Sequence, residues 1–303
     1  MSSPLTFSTV AMLTLAPLLW AGNAIVGRLV HDLISPFTLN LVRWCIAFIV
    51  LLPLAGYVLR KNSAIWLCWK QYAVLGVLGI GSYNALLYLA LKTSSPLNVT
   101  LVGSSMPIWM LVIGRIWFGN TISPRQALGA VLSVLGVAVV LSRGNAQQLL
   151  GLQLVPGDWF ILLATIVWSL YSWLLARSAQ TMSSQSEIRG NWAAFLMAQM
   201  VFGIAWSALL AGGEVAAGDF ILRPSWTLAA AMLFIVMGPA ILAYRFWGEG
   251  VRRAGPATAG FFGNLIPLFT ALLSIPFLGQ IPQLYHALAF ALIVGGIVVS
   301  SRR

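Results

Sequence analysis

The chain has 303 residues, of which 60 % are hydrophobic and 8 % are charged, far below the roughly 25 % charged residues of a soluble domain. This composition predicts an all-α integral membrane protein surrounded by a lipid bilayer. The formal net charge of +11 comes from Lys and Arg residues scattered singly through apolar sequence. They form no basic stripe of the kind that binds a phosphate backbone, so we expect no nucleic-acid partner.

Apolar stretches of about 20 residues, the length that crosses a bilayer as a helix, follow one another along the chain. Ten of them are predicted, near residues 8–30, 36–59, 71–91, 96–118, 124–142, 157–176, 189–211, 226–248, 256–277 and 282–301. With a cytoplasmic N-terminus, eleven Lys and Arg residues flank the spans on the cytoplasmic side and four on the other side. The positive-inside rule therefore predicts that both termini are cytoplasmic.

One of these stretches, Pro96–Gly119, recurs after a shift of 160 residues as Pro256–Gly279. Five spans in each half is an odd number, so the second half must cross the membrane in the opposite direction to the first. Inverted repeats of this kind are the architecture of alternating-access carriers. We predict two inverted five-helix repeats, residues 1–145 and residues 156–303.

Each copy of the repeated stretch has a proline near its middle and a glycine four residues earlier. The pairs are Gly103 with Pro107 and Gly263 with Pro267. A proline inside a helix leaves the carbonyl four residues back without its donor, and interrupted helices in matching positions of two halves indicate a transporter's binding site. Proline is also common in transmembrane helices for packing alone, but its duplication favours two hinges.

The segments LLWAGNAIVGR (18–28), SSPLNVTLVGSSMPIWMLV (94–112) and GPATAGFFGNLIPLFTALLS (255–274) resemble the EamA family of the drug/metabolite transporter superfamily. The resemblance covers essentially the whole chain. The density of Trp and Tyr on its segments is most similar to the bacterial inner-membrane exporters of aromatic amino acids. The resemblance implies a cavity among the first, third, fourth, sixth, eighth and ninth spans, with the fifth and tenth spans packed behind them.

Polar residues in mid-membrane are costly and usually face a bundle interior, and here they lie on those same spans together with deep aromatic residues. The candidate substrate-binding residues are Trp20, Asn23, Tyr83, Asn84, Tyr88, Ser104, Trp109, Trp168, Tyr171, Tyr244, Arg245 and Asn264. We expect an ammonium group to meet the Gly103 or Gly263 carbonyl and a carboxylate to meet amide or hydroxyl donors. The substrate's side chain would pack on the aromatic rings.

Two arginines inside the spans have competing interpretations. Arg43 is better explained as a structural partner of a carbonyl or of Asp32 than as a substrate ligand. Arg245 lies four residues before Glu249, a spacing that permits an ion pair, although its depth leaves a carboxylate-binding role open.

These patterns favour a carrier that exports amino acids, aromatic and other neutral ones, across the bacterial cytoplasmic membrane. The alternative is a carrier of the same superfamily for a nucleoside, a nucleotide-sugar or a range of drugs. The sequence has no paired acids or His and Cys cluster at helical spacing, so we expect no enzyme activity, no catalytic residue, no metal and no cofactor. We expect a monomer, and uniport or a coupling that uses no buried acid, because no acidic residue lies deep in a span.

Overall fold

The computed structural model describes residues 5–94, 99, 102–142, 144–145, 147, 155–181, 188, 190–278 and 283–301, and this part of the chain is helical throughout. The helices are α1 (Phe7–Leu29), α2 (Pro36–Ala55), α3 (Ala64–Leu67), α4 (Trp69–Leu75), α5 (Tyr83–Thr93), α6 (Met106–Phe118), α7 (Pro124–Leu141), α8 (Pro156–Thr181), α9 (Trp192–Ala216), α10 (Trp226–Ile235), α11 (Ala243–Ala254), α12 (Pro256–Gly263), α13 (Leu265–Leu278) and α14 (Leu284–Ser301). Two π-helical segments, Gly76–Ser82 and Val236–Leu242, join α4 to α5 and α10 to α11.

Among the described residues, seven helices are long and apolar enough to cross a membrane, where the sequence predicts ten spans. They are Phe7–Gly27, Pro36–Leu59, Pro156–Ser178, Trp192–Ala216, Trp226–Ala254, Pro256–Leu273 and Leu284–Ser301. The other three predicted stretches are also helical but shorter or interrupted, at residues 69–93, 106–118 and 124–141. The protein is therefore an all-helical, multi-pass membrane protein, and the count of ten stays a prediction.

Helix bounds in the two parts of the chain recur at the shift of 160 residues. The π-helical segment Gly76–Ser82 corresponds to Val236–Leu242, and α7, Pro124–Leu141, corresponds to α14, Leu284–Ser301. Neither correspondence follows from sequence identity, because position 76 is glycine and position 236 is valine. The backbone geometry thus repeats more fully than the residue types do.

The repeated proline stretches are broken rather than kinked. Pro107 is the second residue of α6, which begins after a turn at Ser104 and Ser105. Pro267 lies in the first turn of α13, after a turn at Asn264. In a first helical turn a proline removes no intrahelical hydrogen bond, so the predicted position of these prolines in a helix interior is wrong. The flanking Pro96 and Gly279 lie outside the described residues.

Helices α7 and α14 pack closely against each other, as the resemblance implies for the fifth and tenth spans. A Cβ atom on Gly129 would lie 2.7 Å from the Gly296 carbonyl oxygen, and one on Gly296 would lie 2.7 Å from the Gly129 carbonyl oxygen. Such short distances between backbones are possible only without side chains. This contact joins equivalent helices at the back of the bundle.

At the end of the bundle where α2 begins, Glu214 connects α9 to α2. Its carboxylate accepts hydrogen bonds from the Ser35 hydroxyl at 2.7 Å, the Thr38 amide at 2.9 Å and the Phe37 amide at 3.1 Å. The first amides of a helix have no intrahelical acceptor and favour a negative charge. The carboxylate of one helix therefore caps the N-terminus of another and holds this end together.

Candidate functional site

A cavity of about 1510 Å³ opens at the end of the bundle where α1 begins. Residues near the ends of several helices line its mouth, namely Met12, Phe118, Arg177, Trp192, Arg253, Pro256 and Ser300. Farther from this end, Tyr171 of α8, Gln199 of α9 and Tyr244 of α11 line it. Its volume exceeds the roughly 300–1,000 Å³ of an ordinary ligand pocket. We therefore regard it as an entrance chamber whose deep end is the candidate site.

The deep end of the cavity is fixed by hydrogen bonds between helices. The Tyr171 hydroxyl donates to the side-chain carbonyl of Gln199 at 3.1 Å, and the Gln199 amide donates to the Phe195 carbonyl at 3.2 Å. The Tyr244 hydroxyl donates to the Gly79 carbonyl in the first π-helical segment. Both tyrosines thus present ring surface at fixed positions, which is the kind of wall that an apolar or aromatic substrate packs against.

Behind this wall lies an aromatic cluster that draws on α1, α2, α5, α8 and α11. Within the described residues it comprises Trp20, Trp44, Tyr83, Trp168, Tyr171, Tyr244 and Trp247. Trp168 is central, with ring centroids 5.3 Å from Trp20, 5.0 Å from Tyr83 and 5.1 Å from Tyr171. Because Trp168 is only 3 % exposed, the cluster closes the bundle on the side away from the cavity mouth.

Trp20 connects the aromatic cluster to the second π-helical segment. Its indole N–H donates to the Pro239 carbonyl at 3.2 Å. Pro239 lies 160 residues after Gly79, whose carbonyl accepts from Tyr244. The equivalent carbonyl of each π-helical segment therefore receives a hydrogen bond from an aromatic side chain of the other half.

The charged groups on the cavity wall are mostly cationic. Arg177, Arg245, Arg252 and Arg253 line the cavity, together with Glu249. The Glu249 carboxylate pairs with Arg252 and Arg253, whereas the Arg245 guanidinium lies over the Trp192 ring, 4.7 Å from its centroid. The pair of Arg245 with Glu249 that the spacing permits does not form. An exposed guanidinium stacked on an aromatic ring is well placed to receive a carboxylate.

The predicted substrate-binding residues divide into three groups. Tyr171, Tyr244 and Arg245 line the cavity, and Trp20, Tyr83 and Trp168 belong to the aromatic cluster behind it. The others have no part in either group within the described side chains: Asn23, Asn84, Ser104, Trp109 and Asn264. The side chain of Tyr88 lies outside the described residues.

Asn264 and Ser104 come together, but as a contact between the two broken stretches. The Asn264 side-chain amide donates to the Ser104 carbonyl at 3.2 Å and to the Ser133 hydroxyl at 3.0 Å. Asn264 is 2 % exposed. The amide that we expected to hold a carboxylate is thus used to satisfy the backbone at the break before α6 and to contact α7.

Sequence reasoning missed the contribution of α9 to the cavity. Trp192, Phe195, Leu196 and Gln199 all line it, although the resemblance implied no role for the seventh span. Their i, i+3, i+4, i+7 spacing places them on one face of the helix and could have indicated a shared environment. Trp44 and Trp247, which complete the aromatic cluster, were also missed.

Comparison with known proteins agrees with the structural class. The EamA-like transporter family model matches residues 7–142 and residues 155–302. The Aromatic amino acid exporter YddG of Ancylobacter novellus is 25 % identical over 248 residues, covering 80 % of this chain and 78 % of that protein. The Probable terminal-alkyne amino-acid exporter of Streptantibioticus cattleyicolor is 22 % identical over 301 residues, covering 96 % of this chain and 92 % of that protein.

Two further comparisons concern a transporter and a fold. The Uncharacterized transporter YyaM of Bacillus subtilis is 25 % identical over 243 residues, covering 80 % of this chain and 74 % of that protein. A solved crystal structure of another protein superposes with a TM-score of 0.75 over 96 % of both chains at 22 % identity, which shows a shared fold. The family and these named relatives are transporters and not enzymes.

Proposed function

Because the chain belongs to the EamA-like transporter family, we propose that it is a membrane carrier that exports amino acids, aromatic and other neutral ones among them, across the cytoplasmic membrane. The observation that carries this proposal is the chemistry of the cavity. A guanidinium, that of Arg245, lies on the wall near two tyrosine rings, those of Tyr171 and Tyr244. An aromatic amino acid has the matching groups, a carboxylate and an apolar ring.

The charge on the cavity wall supports a substrate with a carboxylate. Four arginines and one glutamate line the cavity, so the wall attracts anionic groups more than cationic ones. A cationic drug would meet repulsion at the mouth, while the carboxylate of a zwitterion would be drawn toward Arg245. Two relatives whose names describe amino acid exporters point to the same class of substrate.

Alternating access would follow from the repeated architecture. We propose that residues 1–145 and 156–303 are two inverted five-helix repeats, and that the two matches of the family model correspond to them. In this arrangement both termini are cytoplasmic and the cavity faces the cytoplasm. The breaks at Gly103–Pro107 and Gly263–Pro267 act as hinges, so that the aromatic cluster opens when the cavity closes. The carrier works as a monomer in the bacterial inner membrane.

Counterflow in proteoliposomes tests the substrate class. Labelled phenylalanine is exchanged against unlabelled amino acids, nucleosides, nucleotide-sugars and cationic drugs. We expect aromatic and other neutral amino acids to exchange and the other compounds to fail. Exchange of nucleosides or drugs with no exchange of amino acids would identify a different carrier.

Two variants connect the substrate to the site. Trp168→Ala removes the central ring of the aromatic cluster, and we expect at least about a tenfold loss of phenylalanine exchange, since one aromatic pair contributes on the order of 1 kcal/mol. Arg245→Gln should raise the KM for phenylalanine while the variant stays folded, because Arg245 is exposed to the cavity. Trp226→Ala, at a side chain that is 92 % exposed, is the matched control and should exchange normally.

A further inference from the structure

Three polar atoms on α2 are buried without a hydrogen-bond partner in the described part of the chain. They are the side-chain oxygen of Asn40, the Nε of Arg43 and the Nε1 of Trp44. Their residues are 2 %, 3 % and 0 % exposed, respectively. Positions i, i+3 and i+4 lie next to one another on a helix surface, so two N–H donors and one acceptor occupy neighbouring positions.

The charge of Arg43 makes this group costly. A buried ion without a partner has a desolvation penalty of several kcal/mol, and the Arg43 guanidinium has only an aromatic neighbour among its described contacts, with its central carbon 5.2 Å from the Trp44 ring centroid. The expected partner, Asp32, lies 3.3 Å from His31 instead. Glu214 caps α2 and Glu249 pairs with other arginines. The carboxylates of these three residues therefore do not neutralise Arg43.

The position of the three residues places them on the far side of the aromatic cluster from the cavity mouth. The Trp44 ring centroid is 4.9 Å from that of Tyr244, which lines the cavity. The Asn40 amide donates to the Ile80 carbonyl of the first π-helical segment at 3.3 Å and to the Ser207 hydroxyl at 3.1 Å, so its oxygen is left as an acceptor. Arg43 lies seven residues after Pro36, about 10 Å along α2 from the end opposite the cavity mouth.

We propose that Asn40, Arg43 and Trp44 form a second site for the carboxylate of the substrate, beyond the aromatic cluster. The carboxylate accepts from the Arg43 Nε–H and the Trp44 Nε1–H, and the substrate's ammonium group donates to the Asn40 oxygen. Tyr244 stands between this site and Arg245, so the carboxylate passes from Arg245 to Arg43 as the cluster opens. This inference rests on the proposed function for the identity of the substrate, but not for the existence of the carboxylate site.

The test measures binding without transport. The full chain carrying Arg245→Gln, which removes the cavity guanidinium, is placed in lipid nanodiscs, and its thermal midpoint is measured in chloride-free buffer. The probes are phenylalanine, 3-phenylpropionate, phenethylamine and sodium chloride. We expect phenylalanine and 3-phenylpropionate to raise the midpoint, and phenethylamine and chloride to leave it unchanged.

Substitutions on α2 then assign the effect. Arg43→Gln removes the charge, and Asn40→Asp supplies an internal carboxylate of the same size, so each should abolish the shift caused by 3-phenylpropionate. Without a ligand, each should raise the midpoint by about 2 °C or more, because an unpaired buried charge is removed or neutralised. Arg115→Gln, at an exposed arginine near the end of α6, is the control and should keep the ligand shift.

Each alternative outcome overturns the second site. A ligand shift that survives Arg43→Gln, or a chloride shift as large as that of 3-phenylpropionate, removes the substrate carboxylate from it. A lower midpoint of ligand-free Arg43→Gln would make Arg43 a structural partner. If the shift depends on Arg43 and amino acid counterflow fails, the carboxylate site stands and the proposed function falls. If counterflow succeeds and no shift depends on Arg43, the reverse holds.

Discussion

The two π-helical segments, Gly76–Ser82 and Val236–Leu242, occupy equivalent positions and make equivalent contacts from different sequences. The Gly79 carbonyl accepts from Tyr244, and the Pro239 carbonyl accepts from Trp20. The first segment is rich in glycine, whereas the second contains a proline, which cannot donate a backbone hydrogen bond. The same geometry therefore has two different physical origins, close packing in one half and a missing donor in the other.

Packing around the two segments differs accordingly. A Cβ atom on Gly76 would lie 2.3 Å from the Gln199 carbonyl oxygen, and one on Gly79 would lie 2.5 Å from the Tyr171 ring. Position 236, equivalent to 76, holds a valine that is 1 % exposed. The first segment is thus fixed against α8 and α9, while the second has room for side chains. This difference teaches that the halves are not interchangeable, although their helix bounds repeat.

The largest effect on this comparison should come from Gly76→Ala. The added methyl group meets a backbone carbonyl that cannot rotate away, so we expect the free energy of unfolding to fall by about 3 kcal/mol. Gly238→Ala in the second segment is the matched control, because its nearest neighbour is the flexible end of Leu19 at 3.2 Å. Thermal unfolding in nanodiscs measures both. Equal losses in the two variants would show that the segments are packed alike.

A smaller effect should come from removing the two hydrogen bonds to the π-helical segments. Tyr244→Phe and Trp20→Phe each leave a buried carbonyl without its donor, which costs about 1–3 kcal/mol. We expect similar losses of stability and a several-fold slower exchange in both variants. Trp247→Phe is the control for ring size, since its N–H donates to the Ser172 hydroxyl at 3.2 Å and not to a π-helical segment. If Trp20→Phe resembles the control, the two bonds are not equivalent.

The smallest change in stability should come from the prolines that begin α6 and α13. Because Pro107 and Pro267 lie in first helical turns, their replacement by alanine should cost less than about 1 kcal/mol. If the breaks are hinges of opposite halves, the two variants should change the labelling of a cysteine introduced at Thr258, on the cavity wall, in opposite directions. The native Cys45 and Cys68 are first replaced by serine. Changes of the same sign would argue against paired hinges.

The sequence predicted the class of the protein because composition and span length depend on the bilayer alone. Sparse charge and long apolar stretches permit few structures other than membrane-spanning helices. The shift of 160 residues also located the break before Pro107 and the equivalent break before Pro267. Six of the candidate residues, including Trp168 and Tyr244, lie at the cavity or in the aromatic cluster.

Tertiary structure decided which of these residues act together. A helix that is apolar on all sides has no polar stripe to show which neighbour it faces, so the sequence could not reveal that α9 lines the cavity through Gln199. It could not assign Asn264 to the backbone at Ser104, or separate Arg43 from Asp32, because such partners are far apart in the chain. Composition determines that a chain enters the membrane, whereas the packing of one helix on another decides which polar groups are left for a substrate.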